Sequence, residues 1–571
     1  SYVVAGLRGA DGFTTYGLTL VRVVTEIAAV LCVGAFLFAA YLVPGSAPRT
    51  ASRAAVAWCL GALLSIPFTV ADVFTRPLGD MLEPARLLRL TFSLEQTKAW
   101  LLTAGIALVL AVAARRGRSA RVLLVVSLLG LVPVAASGHS SSGGDHDWAT
   151  ASLLLHLMAA ALWVGGLVAV LAYGLRKGPE LGAAASRFSQ VALVCWIVLA
   201  ASGMVNALVR LRWTSLFTTP YGLLVIAKVT ALVALGVFGY FQRERGVRRV
   251  VEHGDGRALV RLAAFEVLLM LVTIGLATAL GRTPPPDHGA APPTPVELKI
   301  GYSLDSPPTL SRALVDWRFD LVLGTLAILL AVVYLLRVRR LRAGGTTWPV
   351  ARTIAWLGGC VEVLLATSSG IGRYAPAVFS VDMVSNTLLA ILAPVLLAMG
   401  APVTLFGRSP RWKPHPAVVV GLFSGSFFVL YFSGLFDWAL DVPLTHVGMN
   451  AWFLLSGFLF CWAVLGIDPF PYPLSPRTRK IMAFAAVGAQ AVFGLVLFTT
   501  DSVFGEEFYR SLSLPWTDDL LGLQRLGGAI AWGFGVVPLL MMAFALLVAP
   551  NRHNGAPDGR QPSGEPASVS H

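Results

Sequence analysis

The chain has 571 residues, 56% of them apolar and 13% charged, with a mean hydropathy of +0.73. Soluble chains carry about twice that charged fraction, so the composition excludes a string of soluble domains and points to a polytopic membrane protein with the lipid bilayer as its first partner. The net charge of +14 then reads as membrane topology, and nucleic acid is not expected as a partner.

In chain order, about fifteen stretches are long enough to cross a bilayer, which takes about 20 apolar residues each. They centre near Val30, Leu64, Ile106, Val126, Ala161, Ile197, Val229, Leu269, Ile328, Val361, Leu389, Ser426, Leu455, Val492 and Val536. Alternate connections hold the basic clusters. These are Arg49 and Arg53; Arg115, Arg116, Arg118 and Arg121; Arg176, Lys177 and Arg187; and the stretch from Arg243 to Arg257. The series continues through Arg337, Arg339, Arg340 and Arg342, then Arg408, Arg411 and Lys413, then Arg477, Arg479 and Lys480. That side carries roughly twice the basic residues of the other, so it is expected to be cytoplasmic. An odd number of spans places the N-terminus outside and the C-terminus in the cytoplasm. No basic region precedes a short apolar core, so no signal peptide is expected. The Gly-, Pro- and Ser-rich tail, 551–571, reads as disordered.

Residues 282–316 contain eight prolines and no long apolar run, and read as an extracytoplasmic linker. The expected fold is all-helical: an eight-span domain over residues 1–281 and a seven-span domain over 317–550.

Several chemistries are absent. The cysteines Cys32, Cys59, Cys195, Cys360 and Cys461 all fall in spans and none forms a Cys-x-x-Cys pair, so they read as packing residues without disulfides. No phosphate-binding Gly-x-x-x-x-Gly-Lys loop, Gly-x-Ser-x-Gly elbow or His-Glu-x-x-His motif occurs, and the chain is not expected to be an enzyme.

Polar groups inside spans cost about 2.5–3.5 kcal/mol for a central charge and need a partner or a role. In the first half Glu26 and Lys228 fall at similar depth and can pair, as a structural ion pair or as part of a proton or cation path; Glu266 approaches from the cytoplasmic side. The run Gly138-His139-Ser140-Ser141-Ser142-Gly143-Gly144-Asp145-His146-Asp147-Trp148, with His156 a few residues into the fifth span, gathers imidazoles and carboxylates. Such groups suit a transition metal, and Met158 or Met204 offers a thioether to copper(I). The other reading is a solvated loop with one helix-end histidine bonded to backbone.

The segment His156-Leu-Met-Ala-Ala-Ala-Leu-Trp163-Val-Gly165-Gly166 resembles the CopD family of copper resistance and uptake proteins. So do Arg187-Phe188-Ser189, Ser202-Gly203, Tyr221-Gly222 with Lys228, and Gly138-His139. The resemblance covers roughly residues 15–282. It implies copper movement or holding at the cytoplasmic membrane, with His139 and His156 as ligands; His146 joins them by proximity.

In the second half, Asp382 and Asn386 share one helix face and His446 and Asn450 repeat that spacing, while Glu362, Gln524 and Arg525 approach at similar depth. The cluster can hold a metal, with Asp382 and His446 as ligands, or satisfy itself by hydrogen bonds. The surrounding motifs are Ala393-Pro394, Gly400-Ala-Pro402, His446-Val-Gly-Met-Asn450-Ala-Trp452, Gly466-Ile-Asp468-Pro469 and Gln524-Arg-Leu-Gly527-Gly528. They resemble the CtaG family of cytochrome oxidase assembly factors, seven-span proteins implicated in equipping the oxidase with copper. Where that family carries a His-Met-x-x-x-His pair this chain reads Asp382-Met383-Val384-Ser385-Asn386, and Asn450 and Trp452 also stand at family ligand positions. Amides are weak copper(I) ligands and indole is none, so the second half reads as ligand-depleted.

The expected function is copper handling at a bacterial cytoplasmic membrane, linked to assembly of the oxidase copper site. Copper is the cargo, and an oxidase subunit or an extracytoplasmic copper chaperone is the expected partner. The alternatives are a non-metal scaffold for envelope proteins or lipids and a proton-coupled transporter.

Overall fold

The computed structural model describes residues 12–46, 49–137, 145–211, 213–241, 273, 276, 293–407 and 412–548. Among them the secondary structure is helical, without strands. Eleven helices are long and apolar enough to cross a membrane, or twelve if one bent pair forms a single span. The protein is therefore an all-α, polytopic membrane protein.

Eleven of the expected centres lie in those eleven helices, and Ser426 lies in the bent pair, Pro416–Phe432 with Leu435–Asp441, which breaks by 77° at Ser433-Gly434. Gly434 has φ +75°, a conformation that favours glycine and turns the chain there. Three centres behave differently. Val126 lies in a shorter apolar helix, Ala120–Ala136. Ile328 lies in the helix Leu323–Ala343, whose last turns carry Arg337, Arg339, Arg340 and Arg342. Leu269 lies outside the described residues, as do Glu266 and the 551–571 tail.

The chain divides into two compact units, one spanning Ser1–Asp305 with Val442–Leu444 and the other Ser306–Asp441 with Thr445–His571. In the first unit, α1 (Gly12–Leu37), α2 (Arg49–Val73) and α3 (Glu95–Arg115) pack through small residues such as Ala62, Ala104 and Ala107 around Phe36, Trp58 and Trp100. α4 (His146–Leu175) crosses α1, and α5 (Leu181–Arg210) runs along α4 and meets α6 (Pro220–Phe241). Trp163, Leu167, Phe188, Leu199 and Leu235 fill the space between these helices.

The proline-rich stretch is partly helical, because its prolines sit where helices tolerate them. Thr294 and Glu297 form a reciprocal capping box with Pro295 in the first turn, starting a short helix, α7 (Pro295–Ile300). Gly301 ends it with φ +96°, and its carbonyl accepts the Asp145 N–H at 2.5 Å. This part belongs to the first unit. Residues 310–315 form a second short helix in the second unit, where a Cβ on Gly370 would lie 2.1 Å from the Arg312 carbonyl.

The second unit is built on α8 (Leu323–Ala343), α9 (Val350–Ser368), α10 (Phe379–Thr387), α11 (Ala393–Met399), α12 (Pro416–Phe432), α13 (Pro443–Leu465), α14 (Pro476–Thr499) and α15 (Leu520–Ile530). Its core is aromatic: Phe423 stacks on Phe460 at 4.4 Å and Phe427 on Phe453 at 4.5 Å between ring centres. A π-turn, Leu388–Leu392, separates α10 from α11. Pro394 has no N–H to close the α-helical bond to the Ala390 carbonyl, so the irregularity expected at the proline falls on the turn before it. All five cysteines are buried and free.

Candidate functional site

In the first unit the polar groups form a seam between α4 and α5. His156 Nδ1 lies 3.0 Å from Ser202 Oγ, and one turn away Asn206 donates to Ser152 Oγ at 2.8 Å. Lys228, on α6, is the charged neighbour of His156. The spacing His156 − Ser152 = 4 against Asn206 − Ser202 = 4 matches the two rungs one turn apart on antiparallel helices. Sequence reading found His156 and Lys228 but missed Ser152 and Asn206, whose four-residue offset from His156 and Ser202 was the available signal.

Glu26 and Lys228 are not an ion pair among the described residues. Glu26 has Arg22 as its electrostatic partner, one turn earlier on α1, and Arg22 also faces Asp72 on α2. Arg22 was overlooked because a single arginine barely dents the hydropathy of so apolar a helix.

His146 is the first residue of α4 and is buried. Ten residues of continuous helix separate it from His156, about 15 Å of rise, so these two imidazoles do not grip one ion. This corrects the expectation of three histidines around a single cation. His139 lies outside the described residues. Among the described residues no group of three His, Cys, Asp or Glu side chains is placed to hold a metal.

The second unit concentrates its polar groups around one carboxylate. Asp382 is fully buried, with Oδ1 3.2 Å from His446 Nε2. Its Oδ2 accepts from Asn386 Nδ2 at 2.9 Å and from the Tyr431 hydroxyl at 3.2 Å. Asn386 Nδ2 also donates to the Tyr431 oxygen at 3.0 Å, which closes a ring of bonds across α10, α12 and α13. Tyr509, outside the spans, is buried nearby; burial first, then the charges of Asp382 and Asp437, hold its phenol well above the ordinary range. Asp320, just before α8, accepts from the N–H groups of Val322 and Leu323 at 2.8 and 2.6 Å. Burial raises its carboxyl, opposed by those N–H groups and by the nearby His446. Asp382, Asn386 and His446 thus converge, and sequence reading missed their bonded partner Tyr431 and the buried neighbour Tyr509. Glu362 stands half-buried on α9 outside this ring.

Family profiles match three stretches: Copper resistance protein D-like, N-terminal domain, over residues 13–148; Copper resistance protein D over 182–280; and Cytochrome c oxidase caa3 assembly factor over 332–552. The uncharacterized protein Mb0105 of Mycobacterium bovis is 31% identical over 79% of this chain and 70% of its own length. The uncharacterized protein ML1998 of Mycobacterium leprae is 30% identical over 91% of this chain and 82% of its own. The chain belongs to the fused CopD–CtaG family. No solved structure matches it. Its role is a copper-related one in a membrane.

The family motifs turn out to be largely architectural. In the CopD-like half, a Cβ on Gly34 would lie 2.2 Å from the Gly165 backbone and one on Gly166 would meet Phe188 at 2.9 Å, so the paired glycines let α4 cross α1 closely. Arg187 donates to the Leu42 carbonyl at 2.7 Å.

In the CtaG-like half, Asp468 caps the short helix Pro402–Phe406, accepting from Val403 N at 2.6 Å and Thr404 N at 2.8 Å. Two motifs distant in sequence, Gly400-Ala-Pro402 and Gly466-Ile-Asp468, therefore meet as helix and cap. Gln524 is no ligand: it receives the Phe504 N–H at 2.8 Å and donates to the Ser502 carbonyl at 2.9 Å, pinning that loop. Arg525 pairs with exposed Asp501 at 3.1 Å. A Cβ on Gly528 would press on the Phe498 backbone at 2.7 Å, and one on Gly527 on Phe379 at 2.8 Å. Trp452, at a family ligand position, is 45% exposed and turned away from Asp382's ring of partners.

Proposed function

We propose that the protein handles copper at a bacterial cytoplasmic membrane, with the CopD-like half taking up or holding the ion. The CtaG-like half engages an oxidase subunit or an extracytoplasmic copper chaperone while the oxidase copper site is assembled. The mycobacterial relatives support a bacterial setting.

The observation that carries this division of labour is the ring around Asp382. Its acid is bonded to its histidine and also to Asn386 and Tyr431, all hard or borderline donors, and a soft copper(I) ion would have to displace those bonds. Copper capture therefore falls to the first half, to His139 in the Gly- and Ser-rich segment and His146 at the first residue of α4. Copper bound per purified full-length chain under reducing conditions tests this. Substituting His139 and His146 together by Ala is expected to remove it, while His446→Gln leaves it in place. Copper retained in the first variant and lost in the second would reverse the assignment.

A non-metal scaffold is the second reading, favoured by the missing three-ligand group among the described residues. It is expected to show no stoichiometric copper in the unaltered chain.

A further inference from the structure

The ring around Asp382 leaves specific oxygen atoms over. Asn386 Oδ1 and Asn450 Oδ1 are both buried, in residues 1% and 5% exposed, and neither has a hydrogen-bond partner among the described residues. The orientation of the Asn386 amide is fixed by chemistry: a carboxylate only accepts, so the NH2 must face Asp382 and the carbonyl oxygen must point elsewhere. A buried acceptor left unsatisfied is costly, and each of the two calls for a partner.

The helix register places these two residues at one level. His446 on α13 meets Asp382 on α10 at 3.2 Å. Further along the same two segments, a Cβ on Gly457 would lie 2.0 Å from the Ala390 carbonyl and 2.9 Å from Pro394 Cγ. Both contacts advance in the same chain direction, so the segments run parallel in a fixed register. Asn386 and Asn450 fall between the two contacts, each one turn past the Asp382–His446 pair, about 6 Å along the axis. The Asp382 carboxylate has about four lone-pair sites, and its bonds to His446, Asn386 and Tyr431 use three of them.

We propose that Asp382, Asn386 and Asn450 form a binding site for a monovalent hard cation, sodium in the first instance, between α10 and α13. The donors are a carboxylate and two amide oxygens, which suit a hard cation and not a soft one. Among the described residues, His446 is the basic side chain in contact with Asp382, at 3.2 Å. Asp382 is the one carboxylate among the proposed donors, which matches a monovalent ion better than a divalent one. The second nearby carboxylate, Asp320, is committed to the N–H groups that open α8. The ion would tie the two parallel segments together at the level where the π-turn interrupts the α10–α11 helix.

The test uses the full-length protein in detergent at constant ionic strength, with sodium chloride exchanged for choline chloride. Two readouts are taken: radioactive sodium retained per chain, and the thermal unfolding midpoint. Expected are about one sodium per chain, following one-site binding, and a saturable rise of the midpoint. Asn450→Leu, which keeps the volume and removes the oxygen, is expected to lose both. Asn450→Asp, which keeps an oxygen donor and adds charge, is expected to retain sodium, and this variant stands in if Asn450→Leu fails to fold. Absence of sodium binding together with equal midpoints in sodium and choline would overturn the proposal, as a bridging water gives that result. Copper(I) bound here and lost in Asn450→Leu would overturn it as well.

Discussion

The two halves solve the same problem, keeping polar groups inside apolar helices, in different ways. The CopD-like half spreads them over separate small contacts: His156 with Ser202 and Asn206 with Ser152 along the α4–α5 seam, and Arg22 on α1 beside the charges of Glu26 and Asp72. Each pair is small and local. The CtaG-like half draws its groups onto one carboxylate shared by three helices, so His446, Asn386 and Tyr431 depend on one another through Asp382. Separate contacts tolerate the loss of one member, whereas groups joined through one carboxylate fail as a unit.

Unequal responses to substitution follow from that difference. The largest effect is expected for Asp382→Leu, which strands a buried imidazole, an amide and a phenol. A loss of about 3–5 kcal/mol is expected, as for a buried pair deprived of one partner, read from denaturant unfolding in detergent. A loss under about 1 kcal/mol would mean that the ring does not bind the three helices together. Next comes Gly34→Ala in the CopD-like half. Its added methyl would collide with the Gly165 backbone, and about 1–3 kcal/mol of overpacking is expected, in the same assay. An unchanged midpoint would show that α4 and α1 do not cross so closely.

His156→Ala removes one bond, to Ser202, and should cost about 1 kcal/mol. If it proved as damaging as Asp382→Leu, the contrast between seam and ring would be wrong. The smallest effect is expected for Arg525→Ala, which breaks an exposed pair with Asp501 and should change stability by about 0–1 kcal/mol, shrinking with added salt.

Much of this was legible in the sequence, for physical reasons. Span positions followed from hydropathy because a bilayer leaves a chain few other options. The four-residue spacings put Asp382 with Asn386 and His446 with Asn450 on one face of their helices, at similar depth. The illegible parts depended on tertiary register. Tyr431 looks like any aromatic residue in an aromatic core until α12 is packed against α10. Asp468 and Gln524 sit in family motifs, yet one caps a helix and the other fastens a loop, and only their partners reveal it. The three-histidine expectation failed for a simpler reason: His146 and His156 belong to one uninterrupted helix, whose rise holds them apart.

The most direct test of the proposed division between the halves is copper bound per full-length chain under reducing conditions, compared across the unaltered protein, the His139→Ala and His146→Ala double variant, and His446→Gln. Stoichiometric copper is expected in the unaltered chain and in His446→Gln, and none in the double variant. Copper that survives the double variant and disappears with His446→Gln would contradict the assignment and return the metal to the ring around Asp382.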